Sequence, residues 1–149
     1  SPYVAEDRYA PLRPLVGWNC SVTFPNGSTP PGELPSPYHH GSGSLWTRLW
    51  PGGIVLITED RQVRADGAYL LQFPWWRGES GVLQIEGIGS SPGFEAALAE
   101  GYGDIGFQPS TLIFPSAGCW KITGRLGSSE LSFFFEIKDV RSHALAPQN

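Results

Sequence analysis

The sequence predicts an all-β domain: an immunoglobulin-like sandwich of about eight or nine short strands, closed by one disulfide. Three observations predict it. Short apolar stretches recur with turn residues roughly every 8–12 positions, which is sandwich spacing. No segment carries a helical period of useful length. The stretch 114–137, from Phe114-Pro-Ser-Ala-Gly-Cys-Trp to Phe133-Phe-Phe-Glu-Ile, reads as two closing strands around a tight turn, with Cys119 in the first of them. Strand count alone does not separate a sandwich from a closed barrel.

The elements follow in order. Residues 1–16 carry Pro2, Pro11 and Pro14 without any period, and read as an extended arm. In the next stretch Trp18, Cys20, Val22 and Phe24 alternate with polar residues, so a first strand with one apolar face is expected. Pro25-Asn26-Gly27 ends it. Residues 28–44 form a long Pro-rich segment, expected to be an ordered loop or a wrap over the sandwich edge. Residues 45–50 and 54–58 flank Pro51-Gly52-Gly53 and are expected to pair as a hairpin. Further strands are expected at 69–73, at 82–88 (Leu83 and Ile85 inward), at 111–114 and at 119–124. Residues 94–100 suit a strand or one helical turn, with Ala96, Ala97 and Ala99 favouring the turn. In the final strand, 131–138, Leu131, Phe133, Phe135 and Ile137 share one face, leaving Phe134 on a face that calls for a cover. One domain is therefore expected over 17–140, with an arm before it and a tail at 141–149.

Composition bounds the function. A chain of 149 residues suits a single domain burying roughly 68–70% of its unfolded surface. The 19 Gly and 14 Pro fall singly between apolar runs and act as turns. A net charge of −4 without a basic stripe argues against nucleic acid as a partner. No apolar run is long enough for a membrane span. The chain begins at Ser1 and has no Met, the pattern of an exported and trimmed protein and equally of a piece cut from a longer one. Cys20 and Cys119 are the only cysteines, near opposite ends of the chain. A disulfide between them is expected, and with it an oxidising, extracytoplasmic compartment; two buried thiols are the alternative.

Several constellations are candidates for chemistry. In Phe73-Pro-Trp-Trp-Arg-Gly, Pro74 lacks a ladder donor, so this strand end is expected at an edge or turn. Trp75 and Trp76 then point to opposite faces. One joins the core; the other either stands exposed beside Arg77 as a ligand-binding pair or roofs one end of the sandwich. Trp46, Arg48 and Trp50 alternate with Leu45, Thr47 and Leu49. Either the tryptophans face the core, the favoured arrangement, with Arg48 at a sheet end, or they form an outward binding ladder. His39 and His40 sit in the Pro-rich segment, with His143 far off in the tail; as candidate metal ligands the pair needs a third group, from Glu33, Asp104 or another loop. Glu100 and Asp104 flank Gly101-Tyr102-Gly103 and are the one carboxylate pair placed for acid–base work. Nucleophile-elbow, phosphate-loop and zinc-protease motifs are absent. Asn19-Cys-Ser and Asn26-Gly-Ser both fit the N-glycosylation acceptor pattern.

Two blocks together resemble a known group. They are Asn19-Cys-Ser-Val-Thr-Phe with Tyr38-His-His-Gly and Phe73-Pro-Trp-Trp-Arg-Gly, then Glu100-Gly-Tyr-Gly-Asp with Gly118-Cys-Trp-Lys-Ile-Thr-Gly. Over residues 18–138 they resemble a family of bacterial secreted or envelope β-proteins with no assigned activity. The resemblance implies an exported domain with paired cysteines and no catalytic residues to carry over. The expectation is thus a non-catalytic, cofactor-free module contacting a protein or a glycan at the cell surface, or copies of itself through the 1–16 arm. The alternative is an extracytoplasmic metal-binding protein or metal-dependent hydrolase built on His39 and His40.

Overall fold

The structure, a computed structural model, describes residues 20–141. Nine strands form two sheets: β1 (His39–Ser42), β2 (Leu45–Arg48), β3 (Ile54–Ile57), β4 (Tyr69–Arg77), β5 (Gln84–Ile88), β6 (Glu95–Leu98), β7 (Gly106–Phe114), β8 (Gly118–Leu126) and β9 (Ser129–Asp139). One sheet has five strands in the order β1-β2-β4-β7-β6; the other has four, β3-β9-β8-β5. Two 3-10 turns, Pro51–Gly53 and Asp60–Gln62, are the only helical structure among the described residues.

The core fills the space between the sheets and is dominated by rings. Phe73 and Trp75 from β4, Phe114 from β7, Trp120 from β8 and Phe133 and Phe135 from β9 are all fully buried. Each such side chain contributes roughly 1.5–3 kcal/mol through burial. Their polar atoms are matched: Trp75 Nε1 donates to Ser110 Oγ (3.0 Å), which donates to the Phe73 carbonyl (3.1 Å). Trp120 Nε1 donates to the Ser116 carbonyl. The final strand alternates as expected, with Leu131, Phe133, Phe135 and Ile137 inward. Gly127 (φ 59°) turns the β8–β9 hairpin.

Several expectations are corrected. Residues 20–24 form no strand, and Phe24 is exposed. The segment instead lies along the edge of β9, where Thr23 N donates to the Phe134 carbonyl and Phe134 N donates to Thr23 Oγ1 (both 2.9 Å). Residues 45–50 and 54–58 do not pair as a hairpin. Gly52 and Gly53 both take left-handed φ (73° and 71°) and carry the chain from one sheet to the other. There β3 pairs parallel with β9. Residues 94–100 hold a strand: pairing of β6 with β7 overrides the helical preference of the alanines.

Pro74 lies inside a central strand, not at an edge or turn. Its carbonyl accepts from Thr47 Oγ1 (2.8 Å), one step past the last β2–β4 pair, Thr47↔Trp75. Opposite it, Pro109 accepts from Ala99 N, one step past the last β6–β7 pair. Both prolines place their missing N–H where the neighbouring ladder has already ended.

Cys20 and Cys119 are disulfide-bonded, with Cα atoms 5.3 Å apart. Cys119 alternates with the inward Trp120 and Ile122, so the bridge sits on the outer face of the four-stranded sheet. It fastens the start of the described chain to β8 and does not staple the two sheets through the core. Phe134, on the same face, is covered in part by Thr23 and by Lys121, whose Nζ lies 5.7 Å from the ring centroid. The arm 1–16, the ring of Trp18 and the tail around His143 lie outside the described residues.

Candidate functional site

The outer face of the five-stranded sheet carries a register row of Gly41, Trp46, Trp76 and Phe107, one residue from each of β1, β2, β4 and β7. Leu45, Thr47 and Leu49 face the interior, so Trp46 and Arg48 point outward, against the favoured inward packing of the tryptophans. Leu45 and Leu49 take the inward positions on this segment, at 0% and 4% exposure. The Trp46 indole lies flat over Gly41, where an added Cβ would overlap Cδ1 of the ring. Its Nε1 donates to Ser28 Oγ (3.0 Å), so residues 26–30 wrap over this edge of the sheet. The expected Trp46–Arg48–Trp50 ladder does not form. Trp50 stands past the end of β2 and packs on Phe73 and Phe135, with centroids 4.7 and 5.0 Å away.

Trp75 enters the core and Trp76 faces out, as the alternation requires. Trp76 is not an exposed indole beside a guanidinium, however. It is 8% exposed, held edge-on to His39 (5.4 Å) and against Phe107 (5.6 Å). Nor is Arg77 at the surface; it is 4% exposed. Its guanidinium closes one end of the sandwich and gathers the carbonyls of one loop. Nε donates to Gly106 O (3.0 Å), Nη1 to Gly103 O (2.9 Å), and Nη2 to Tyr102 O (2.8 Å) and Ile105 O (3.2 Å). A buried charge is tolerable only when hydrogen-bonded in this way, here through Nε, Nη1 and Nη2.

The loop held in this way is the site that the sequence reading missed. Gly101, Gly103 and Gly106 take left-handed φ (92°, 70° and 84°), and this lets successive carbonyls converge on one cation. With the backbone turned inward, Tyr102, Ile105 and Phe107 are left facing solvent at 43%, 52% and 42% exposure. The Tyr102 ring meets Phe107 edge-on at 5.7 Å. Val82 of the β4–β5 loop adds to the same end, 78% exposed, because Gly81 N donates to the Asp104 carbonyl (3.1 Å). An aromatic strip therefore runs from buried Trp76 through half-exposed Phe107 to a rigid tip. A visible signal was present: apolar residues stand at the three spaces of Gly-Tyr-Gly-Asp-Ile-Gly-Phe, where a turn ordinarily places polar ones.

The remaining candidates are dispersed. His39 and His40 lie on strand β1, not in a loop, and both are buried. They point to opposite faces: His39 to Trp76, His40 to Phe133 (6.4 Å) in the interior. His39 Nδ1 pairs with Thr29 Oγ1 (3.2 Å), and His40 Nδ1 accepts from Asn26 N (3.1 Å). Burial holds both imidazoles below the ordinary histidine pKa, and the nearby Arg48 charge adds to this for His39 against an opposing pull from Glu33. Their work is to fasten residues 26–30 to β1. No cluster of three or more His, Cys, Asp or Glu side chains suited to a metal exists among the described residues. Glu100 and Asp104 both stand exposed on the tip loop, outside any enclosed site. No helix of the described residues is long and apolar enough to cross a membrane. No protein-family model, curated protein or solved structure matches this chain.

Proposed function

We propose that the chain is an extracytoplasmic, non-catalytic β-sandwich that binds a protein partner, or a second copy of itself, through the tip formed by Tyr102, Ile105, Phe107 and Val82. One observation carries the reading: a buried arginine holds, through Nε, Nη1 and Nη2, the carbonyls of a loop whose apolar side chains are turned to water. Tyr and Phe on a preorganised backbone are what interface hot spots are made of, because little entropy is lost when they dock. The disulfide, together with the resemblance to exported bacterial proteins, supports placement outside the cytoplasm.

An immunoglobulin-like identity is part of this proposal. The order β2-β4-β7-β6 reads as strands A, B, E and D, and β5-β8-β9 as C, F and G, with β3 continuing the first strand onto the edge of the last. In that scheme the β4–β5, β6–β7 and β8–β9 loops share one end. The contacts of Gly81 with Asp104 and Leu126 agree with it.

The test pairs binding with turnover. Immobilised wild-type protein and a Tyr102→Asp/Phe107→Asp variant are compared for retention of extracytoplasmic proteins and for self-association by sedimentation velocity. Retention or self-association in the wild type, lost in the variant at unchanged melting temperature, is the expected result. Binding that ignores the variant overturns the reading, as does any hydrolytic activity lost on Glu100→Gln or Asp104→Asn.

A further inference from the structure

A second recessed surface lies on the flank of the sandwich, away from the tip, where the chain crosses from β2 to β3. It is a groove of about 470 Å³ whose lining includes Trp50, Leu56, Arg61, Gln62, Gln72 and Thr111. Its size falls within the range of small-molecule sites and suits one or two sugar rings. Trp50 is braced from behind by Phe73 and Phe135, at 83° and 39° to their planes, so its orientation is set by the core.

Two side-chain amides are fixed around this indole by bonds that use one end of each. Gln62 Oε1 accepts from Thr58 N and Glu59 N (both 3.0 Å), capping the 3-10 turn Asp60–Gln62. Its Nε2 has no acceptor among the described residues. Gln72 Nε2 donates to Thr111 Oγ1 (3.0 Å), and its Oε1 has no donor among the described residues. The lining thus combines an indole with two side-chain amides, each anchored at one end, whose other ends supply hydrogen-bond donors and an acceptor. No carboxylate lines it, and its single cationic residue, Arg61, is already paired with Glu59.

A donor, an acceptor and an indole in one recess match the chemistry of a neutral pyranose: an apolar C–H face for stacking, and vicinal hydroxyls that both give and take hydrogen bonds. We propose that this groove is a subsite for a neutral saccharide, with Trp50 as the stacking platform and Gln62 and Gln72 as the hydroxyl-reading groups. Without a carboxylate pair it holds the sugar and does not cleave it. The assignment is independent of the protein-binding tip.

The experiment uses the full chain against maltotetraose, cellotetraose and N-acetylchitotetraose at millimolar concentrations, read by saturation-transfer NMR and by tryptophan fluorescence. An acidic oligogalacturonate serves as the charged comparison. The expected result is saturable binding of at least one neutral tetrasaccharide, weakened about tenfold by Gln72→Ala and by Gln62→Ala, as for the loss of one well-made hydrogen bond. Gln72 is exposed, so that variant keeps the test intact even if Gln62→Ala loosens the turn it caps or Trp50→Ala fails to fold; Trp50→Phe is the milder probe of stacking. Absence of binding to all three neutral sugars overturns the proposal. So does binding of only the acidic oligomer, or binding that both glutamine variants leave intact.

Discussion

Replacing Arg77 tests how the tip is built. The side chain makes three short hydrogen bonds, at 2.8, 2.9 and 3.0 Å, and a longer one at 3.2 Å, all to loop carbonyls. Hydrogen bonds to a charged group contribute roughly 1.5–3 kcal/mol each, so the gross interaction is several kcal/mol. Two terms reduce the net figure. The carbonyls of Tyr102 and Gly103 lie on exposed residues and take up water once freed, and removing a buried cation relieves its desolvation cost. We therefore expect Arg77→Met, which keeps most of the aliphatic stem, to lower stability by about 3 kcal/mol. Arg77→Lys, which retains the charge but lacks the planar fork, should lose about 2 kcal/mol. Urea denaturation measures the total. Amide hydrogen exchange locates it: residues 101–107 should lose protection first, while β4 and β9 stay protected. Equal deprotection throughout the sandwich, or a loss below about 1 kcal/mol in both variants, would refute the argument that Arg77 organises this loop.

Three further outcomes are expected. Replacing both cysteines by alanine should cost between about 2 and 5 kcal/mol: the chain-entropy value for a separation of 99 residues is the upper bound, and local release of residues 20–24 in the native state lowers it. Unfolding midpoints with and without the bridge measure this, and new proteolytic cleavage should be confined to the chain before residue 29. Because the imidazoles of His39 and His40 are held below their unfolded pKa near 6.5, the unfolded chain takes up more protons in acid. Their contribution to stability is then complete above pH 6.5 and falls as the pH drops through the folded values, by up to about 1.4 kcal/mol per pH unit per histidine. His39→Gln/His40→Gln should therefore flatten the stability curve just below pH 6.5 without altering its acid end, where Asp139 (held at about 2 by Arg141) titrates. Gly41→Ala places a methyl group against the Trp46 ring and should cost about 1–3 kcal/mol, read as a lowered melting temperature. Trp46→Leu in the same background should restore part of it.

The period of two explains what could be read in advance. Leu131, Phe133, Phe135 and Ile137 alternate with Ser132, Phe134 and Glu136, so an extended segment puts all four on one face. Leu83 and Ile85 behave in the same way. Pairing of Cys20 with Cys119 needed only that two cysteines exist in a strand-rich chain. The errors share a cause, since each concerned a partner and not a conformation. Whether residues 45–50 fold back on 54–58 depends on two glycines choosing left-handed φ, and a hairpin turn uses the same residue types. Pro74 is tolerated in the strand because the β2–β4 ladder stops at Thr47↔Trp75, one pair short of it, which nothing local reveals. Trp46 alternates with Leu45 and Thr47, and nothing local shows which of the two faces of the segment meets the core.

Strand character and the inward faces are thus properties of short-range pattern, where each residue's own chemistry and that of its close neighbours decide. The site belongs to another order of information. Arg77 and the carbonyls of Tyr102 and Gly103 lie more than twenty positions apart, and only the pairing of β4 with β7 brings them together. Burial of that guanidinium, and the exposure of the aromatic tip that follows from it, are settled by which strands become neighbours, a long-range choice that no alternation along the chain encodes.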